Sequence, residues 1–179
     1  MSKPNGLKLT ESLKLLERSK RAIPSATQTL SKGYTQWSVG AVPLFIQSAH
    51  GCRVRDVDGN AYIDYSMALG PCILGYADPD VNQAVREQLE RGTMFTLPHP
   101  LETEAAELII ESVPCAEMVR FGKNGSDATS AAVKAARAYT GKEKIIVCGY
   151  HGWQDWYVAT TERDKGIPRA MKDYVLPMR

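Results

Sequence analysis

Three segments follow one another over residues 120–153 and constrain the fold more than any other feature: a loop with two glycines, an alanine-rich segment and an aromatic loop. Six alanines in residues 128–140 predict a helix, because alanine has the highest intrinsic helix propensity. Gly141 then supplies a typical left-handed stop. Ser126 and Asp127 stand where we expect the N-cap, since either side chain could accept a hydrogen bond from a backbone N–H of the first turn.

Short apolar runs flank this helix at residues 117–121 and 144–148, and both predict strands. Strand, helix and strand at this spacing form a right-handed crossover with parallel strands. The loop at residues 122–127 would then open the helix at the carboxyl end of a strand, which is the usual ligand edge of an open α/β sheet. The order of segments therefore predicts an α/β fold with a binding site at that edge.

The glycine loop can hold a phosphate, because a helix N-terminus offers free N–H groups and the positive end of a dipole. Gly125 allows close approach and Ser126 adds a hydroxyl, whereas Asp127 has to point back into the first turn or towards a basic partner. The same residues would also suit a loop that only makes a tight turn and caps a helix. Neither the Walker pattern nor the dinucleotide glycine pattern is present.

The aromatic loop places Tyr150, His151, Trp153 and Trp156 within seven residues. Tyr150 can stack on a ligand ring or donate its hydroxyl, and His151 can hydrogen-bond a ring substituent or pack under the ring. The two tryptophans are expected in the core or at a subunit interface, because aromatic clusters usually bury area. The two loops together favour a phosphorylated aromatic ligand, and pyridoxal phosphate is the best candidate.

Several motifs in this order resemble the class III pyridoxal-phosphate-dependent aminotransferases, and the glutamate-1-semialdehyde aminomutase branch in particular. They are Asn-Gly-Ser-Asp-Ala-Thr at 124–129, Ala-Arg-Ala-Tyr-Thr-Gly-Lys-Glu-Lys-Ile-Ile at 136–146 and Tyr-His-Gly at 150–152, with further matches at 56–65, 69–76, 92–95 and 117–121. The resemblance covers most of residues 40–160.

The resemblance implies the fold-type-I α/β architecture: a small N-terminal α+β subdomain, then the start of a mostly parallel three-layer α/β/α domain. It also implies a homodimer and bound pyridoxal 5'-phosphate. The cofactor phosphate would be held by Gly125 and Ser126, with Asp127 in the same loop, and the ring would stack on Tyr150 with His151 adjacent. The substrates would be a small-molecule amino donor and a keto or aldehyde acceptor.

The chain departs from the aminomutase pattern in three places. Residues 25–34 stand where that branch has Ser-Pro-Val-Arg, Leu69 begins a Leu-Gly-Pro in place of Trp-Gly-Pro, and Asp127 replaces a glutamate. These differences leave the substrate open, and with it the choice between transaminase and aminomutase. Lys32 is one candidate to recognise an anionic substrate group.

The resembled family uses a Schiff-base lysine and an acidic residue against the pyridine nitrogen, both downstream of the Tyr-His-Gly loop. None of the lysines in this chain matches the family's position for the Schiff-base lysine. We therefore expect the N-terminal part of an enzyme that is inactive by itself, with its catalytic residues unknown. Two alternatives stay open: a non-catalytic cofactor-binding or assembly module that acts with a longer partner subunit, and a sugar-nucleotide binder.

Composition excludes several classes of protein. A net charge of +2 provides no strong basic field for nucleic acid, and no apolar run reaches the roughly 18 residues of a membrane span. Without an apolar signal segment at the N-terminus, we expect a cytoplasmic location. The four cysteines are widely spaced, which argues against zinc and against a disulfide framework.

The rest of the chain predicts a helix at 9–23, antiparallel strands at 44–46, 52–56 and 61–65, and a hairpin turn at 58–60. Helices are predicted at 79–92 and 101–113, and a strand begins at 174. The side chains expected to face inward on these two helices are Val81, Val85, Leu89, Ala105, Leu108 and Ile109. The expected domains are residues 1–67, the N-terminal subdomain, and 68–179, the start of the cofactor-binding domain.

Overall fold

The structure of the protein, a computed structural model, describes residues 6–178. The chain forms two compact units, of which the first ends at Phe95 and the second begins at Thr96. The sequence-based boundary after residue 67 stays a prediction. None of the helices within residues 6–178 has the length and apolar character needed to cross a membrane.

The first unit opens with helix α1, Thr10–Ala22, as the sequence predicts. Its ends suit the helix dipole, because Glu11 lies in the first turn and basic side chains lie in the last. Leu16 is buried, whereas Leu13 is 45% exposed. Three short 3-10 turns then cover Pro24–Ala26, Leu30–Lys32 and Tyr34–Gln36.

An antiparallel sheet follows, with β1 at Ile46–His50, β2 at Arg53–Asp56 and β3 at Ala61–Ile63 in that spatial order. The turn between β2 and β3 is the predicted hairpin, and Gly59 in it has a φ of 86°, which favours glycine. β1 begins where the sequence predicted that the first strand would end. Its first partner is Asp56, the last residue of β2, so the residues before Ile46 have no strand opposite them.

Helices α2, Pro79–Arg91, and α3, Pro100–Ser112, have the predicted bounds within one residue or two. Proline at the first helical position and a capping side chain before it start each of them. The prediction of inward faces was wrong for the described chain, since the five large apolar side chains are between 37% and 63% exposed, namely Val81, Val85, Leu89, Leu108 and Ile109. Ala105 is exposed as well. Periodicity selects an apolar face, but burial needs an element packed against that face.

The second unit continues with α4 at Gly125–Thr140, β4 at Ile145–Val147, the short α5 at Asp155–Val158 and β5 at Val175–Pro177. β4 and β5 pair in parallel, which confirms a strand near residue 174. A small core forms around Val147, Trp156 and Val175. α4 ends at Gly141, whose φ is 66°, as the sequence predicts.

The predicted strand at residues 117–121 does not form. Met118 is 91% exposed and Phe121 is 51% exposed. A strand exists only with a neighbour that completes its hydrogen-bond ladder, and β4 pairs with β5 instead. The crossover of parallel strands is therefore found between β4 and β5, with α5 in the connection.

Candidate functional site

The start of α4 is capped by Asn124, whose Oδ1 accepts a hydrogen bond from the backbone N–H of Asp127 at 3.0 Å. The sequence-based choice of Ser126 or Asp127 as the N-cap was wrong. Asn124 has the extended backbone of an N-cap residue, and its short side chain reaches three residues along the chain. Ser126 and Asp127 therefore lie inside the first turn of the helix.

Two backbone donors of this turn are left over. Within residues 6–178, no acceptor is found for the N–H groups of Gly125 and Ser126. A methyl group placed on Gly125 would meet no atom within 4 Å, so there is open space beside this residue. Free N–H groups at the positive end of a 16-residue helix form a site that can bind an anion.

The first turns of α4 also hold the aromatic loop. The backbone N–H of Trp153 donates to Ser126 Oγ at 3.4 Å, and Thr129 Oγ1 donates to the carbonyl of His151 at 2.9 Å. Trp156 Nε1–H donates to Ser130 Oγ at 2.9 Å. The two loops that the sequence predicts to share a site are thus in direct contact.

Gly152 makes this contact possible. A Cβ at this position would lie 2.3 Å from Ser126 Oγ and 2.9 Å from Ser126 Cβ, so that any side chain here would collide with the start of α4. The φ of Gly152 is 115°, which also favours glycine. The closeness of the loops therefore depends on a glycine whose role the sequence pattern alone did not reveal.

The two site rings of the aromatic loop differ in their surroundings, because the Tyr150 ring is exposed and the His151 ring packs against a buried tryptophan. Tyr150 is 80% exposed, which leaves a flat face available for stacking. His151 stacks on Trp156 with ring centroids 6.2 Å apart, and Trp156 is buried. Of the two tryptophans expected in the core or at a subunit interface, Trp156 is in the core, whereas Trp153 is 72% exposed in this chain, so an interface role for Trp153 stays a prediction.

Sequence reasoning missed Tyr157. Its ring meets those of Tyr150 and His151 edge to face, with centroid distances of 5.7 Å and 5.5 Å. The signal was present, because Tyr157 directly follows the seven aromatic-rich residues that the sequence analysis singled out. Thr129 and Ser130 were missed too, since an ordinary helix sequence does not show which of its hydroxyls contact a distant loop.

The candidate site contains no buried lysine. All six lysines in residues 96–178 are exposed, namely Lys123, Lys134, Lys142, Lys144, Lys165 and Lys172. The one ion pair they form within the described residues joins Lys172 to Asp164. An amine that reacts with a carbonyl is usually desolvated or placed beside another cation. The described residues of the second unit therefore supply donors and rings but no desolvated lysine.

Comparison with known proteins gives the family. A sequence profile described as "Aminotransferase class-III" matches residues 34–178. The 3-aminobutyryl-CoA aminotransferase of Cloacimonas acidaminovorans is 41% identical over 163 residues, which cover 90% of this chain and 38% of that protein. Glutamate-1-semialdehyde 2,1-aminomutase 2 of an Exiguobacterium species is 45% identical over 149 residues, which cover 82% of this chain and 34% of that protein.

A solved structure described as a transaminase with PLP bound superposes with a TM-score of 0.85 at 28% identity. The alignment covers 97% of this chain and 42% of that one. The chain belongs to the class-III aminotransferase family, so both the resemblance and the fold-type-I expectation are confirmed. It spans between about a third and two fifths of the length of these relatives.

Proposed function

We propose that this chain binds pyridoxal 5'-phosphate between the start of α4 and the aromatic loop, as the cofactor-binding part of a class-III aminotransferase or aminomutase. The observation that supports this most directly is the pair of N–H groups at Gly125 and Ser126, which have no acceptor within residues 6–178, on a helix start that is hydrogen-bonded to the loop carrying the exposed ring of Tyr150. Donors for a phosphate and a platform for a ring then lie on two loops joined by hydrogen bonds. Family membership and a PLP-bound relative agree with this ligand.

Each site residue has a role in the proposal. The N–H groups of Gly125 and Ser126 and the Ser126 hydroxyl bind the phosphate, where the helix dipole favours negative charge. The Asp127 N–H is already used by Asn124, so Asp127 shapes the first turn and donates nothing to the phosphate. The Tyr150 ring stacks on the cofactor ring, and His151 lies beside it.

When bound, pyridoxal phosphate supplies an electron sink that allows an amino group to move between a small-molecule amino donor and a keto or aldehyde acceptor. The residues described here would bind and orient it. We propose that the lysine that reacts with the cofactor aldehyde is not one of the six exposed lysines of the second unit. A homodimer is also proposed, on the family resemblance alone, and a cytoplasmic location stays the expectation drawn from the sequence.

Equilibrium dialysis with three ligands tests this proposal. Pyridoxal phosphate should bind saturably, and inorganic phosphate should compete with it. Pyridoxal should bind at least tenfold more weakly, because it lacks the group that the helix start recognises. A nucleotide sugar that displaces pyridoxal phosphate and binds more tightly would instead support the sugar-nucleotide alternative and contradict the proposal.

The exposed lysines favour a second candidate, a non-catalytic cofactor-binding or assembly module that works with a longer partner subunit. Borohydride treatment of the loaded chain followed by mass analysis should then give no stoichiometric cofactor adduct. If a single lysine is modified stoichiometrically, one of the lysines of this chain reacts with the cofactor aldehyde, which contradicts both candidates. The intact mass of the native protein separates the two, since the module predicts 19.7 kDa and the enzyme predicts a much heavier species.

A further inference from the structure

We propose that Tyr157 is a positioning residue, which fixes the relative orientation of the Tyr150 and His151 rings. The consequence for binding rests on the proposed function, since these are the two rings proposed to face the cofactor. The orientation of the rings is a property of the chain without ligand. Ring orientation and cofactor affinity can therefore be measured separately.

The geometry of the ring cluster carries this inference. The Tyr157 ring stands at 85° to Tyr150 and at 88° to His151, with centroids 5.7 Å and 5.5 Å away. Near-perpendicular rings at about 4.5–7 Å are the favourable edge-to-face arrangement, in which the positive edge of one ring meets the negative face of the other. One side chain from α5 thus contacts both proposed site rings at once.

The two site rings depend on Tyr157 to different degrees. His151 has further support, because its ring stacks on Trp156 and its carbonyl accepts a hydrogen bond from Thr129 Oγ1. Tyr150 has less, since within residues 6–178 Tyr157 is the one aromatic ring that it contacts. Loss of the Tyr157 ring should therefore release Tyr150 more than His151.

A stacking platform binds well only when its ring is held in place before the ligand arrives. An exposed side chain that is free to rotate must be ordered on binding, and that ordering weakens the affinity. Tyr150 is 80% exposed, so it is the kind of side chain for which prior positioning matters. Tyr157 supplies that positioning from a half-buried place against the core of the second unit.

Three variants of the full chain test the role. Y157F keeps the ring, Y157L removes it at similar bulk, and Y139L is the control because Tyr139 is 93% exposed in α4. The first readout is the NMR resonances of the Tyr150 and His151 ring protons without ligand. We expect Y157L to shift both sets, because the ring current of Tyr157 and the orientation it imposes are lost, whereas Y157F and Y139L leave them near the wild-type positions.

The second readout is affinity for two probes, pyridoxal phosphate and inorganic phosphate. Y157L should weaken pyridoxal phosphate about tenfold, in line with the loss of two aromatic contacts, and should leave phosphate affinity within twofold. Y157F should restore pyridoxal phosphate affinity to within about twofold of the wild type. Retained phosphate binding shows that the start of α4 is still folded in Y157L.

The outcomes separate the two proposals. Unchanged ring resonances in Y157L would overturn the positioning role whatever the affinities are, and so would an equal loss of phosphate and pyridoxal phosphate. If the wild-type chain takes up no pyridoxal phosphate, the proposed function fails. In that case ring shifts in Y157L that are absent in Y157F would still support the positioning of Tyr150 and His151.

Discussion

The starts of α1 and α4 face the same physical problem and solve it differently. Each helix begins with backbone N–H groups that have no partner inside the helix. At α1 the carboxylate of Asp58 accepts from the N–H groups of Glu11 at 2.7 Å and of Ser12 at 2.9 Å. At α4 the side chain of Asn124 reaches one donor, and the N–H groups of Gly125 and Ser126 have no acceptor among the described residues.

The carboxylate at α1 belongs to a closed network. Asp58 sits in the hairpin turn, where its N–H donates to the fully buried Asp56. Asp56 also accepts from the backbone and side chain of Asn60 and from the hydroxyl of Tyr62. Within residues 6–178 the N–H groups at the start of α1 already have a carboxylate acceptor, whereas those of Gly125 and Ser126 have none, so of these two helix starts that of α4 is the one open to an external phosphate.

Removal of the internal anion should have the largest effect on stability. Asp58→Ala takes away both hydrogen bonds to α1, and the loss of a capping carboxylate costs about 1–2 kcal/mol of unfolding free energy. Urea denaturation measures this change, with the exposed Asp173 as the position for a control Asp173→Ala. Affinity for pyridoxal phosphate should stay within twofold, and a large loss of affinity would mean that the two helix starts are not independent.

The open helix start should be sensitive to Gly152. Gly152→Ala would place a methyl group against Ser126, separate the two loops and weaken pyridoxal phosphate at least tenfold, which corresponds to about 1.4 kcal/mol. Gly166→Ala is the matched control, because Gly166 also has a positive φ of 88° but a methyl group there would meet nothing within 4 Å. Equal effects of the two substitutions in a binding titration would show that backbone strain, not loop contact, is responsible.

Acid should weaken α1 through Asp58. Burial disfavours its charge, but hydrogen bonds from Ser12 and from the N–H of Glu11 outweigh this, so that the pKa of Asp58 lies below its usual value. A carboxyl with a lowered folded-state pKa stabilises the fold above its unfolded pKa, near 4, and this contribution is lost as the pH falls through the folded value. Unfolding free energy measured between pH 6 and pH 2.5 should therefore fall less steeply in Asp58→Asn than in the wild type, and parallel curves would refute the assignment.

Local sequence chemistry was enough to predict where most helices begin and end. Pro79 and Gly92 bracket α2, and Gly141 ends α4, because these residues act on their own backbone. It was also enough to predict the hairpin turn at residues 58–60. These features need no information about distant parts of the chain.

Features that depend on distant contacts were not predictable. The residues at 117–121 have strand-like composition but no neighbour to complete a ladder, and the apolar face of α2 has no cover among the described residues of its unit. The cap on Ser12 comes from a residue 46 positions away, which no local pattern reveals. Tyr157 was missed although it directly follows the aromatic loop in the sequence, because the pattern does not show which rings its side chain contacts.

An amide NMR titration of the chain with pyridoxal phosphate tests whether the start of α4 binds the phosphate. We expect saturable shifts of the Gly125 and Ser126 amides, with the Glu11 and Ser12 amides unmoved because Asp58 already accepts their hydrogen bonds. Inorganic phosphate should shift the same two amides of α4 without moving the ring protons of Tyr150. If the amides of α4 stay still while others respond, or if both helix starts respond equally, phosphate binding at α4 is refuted.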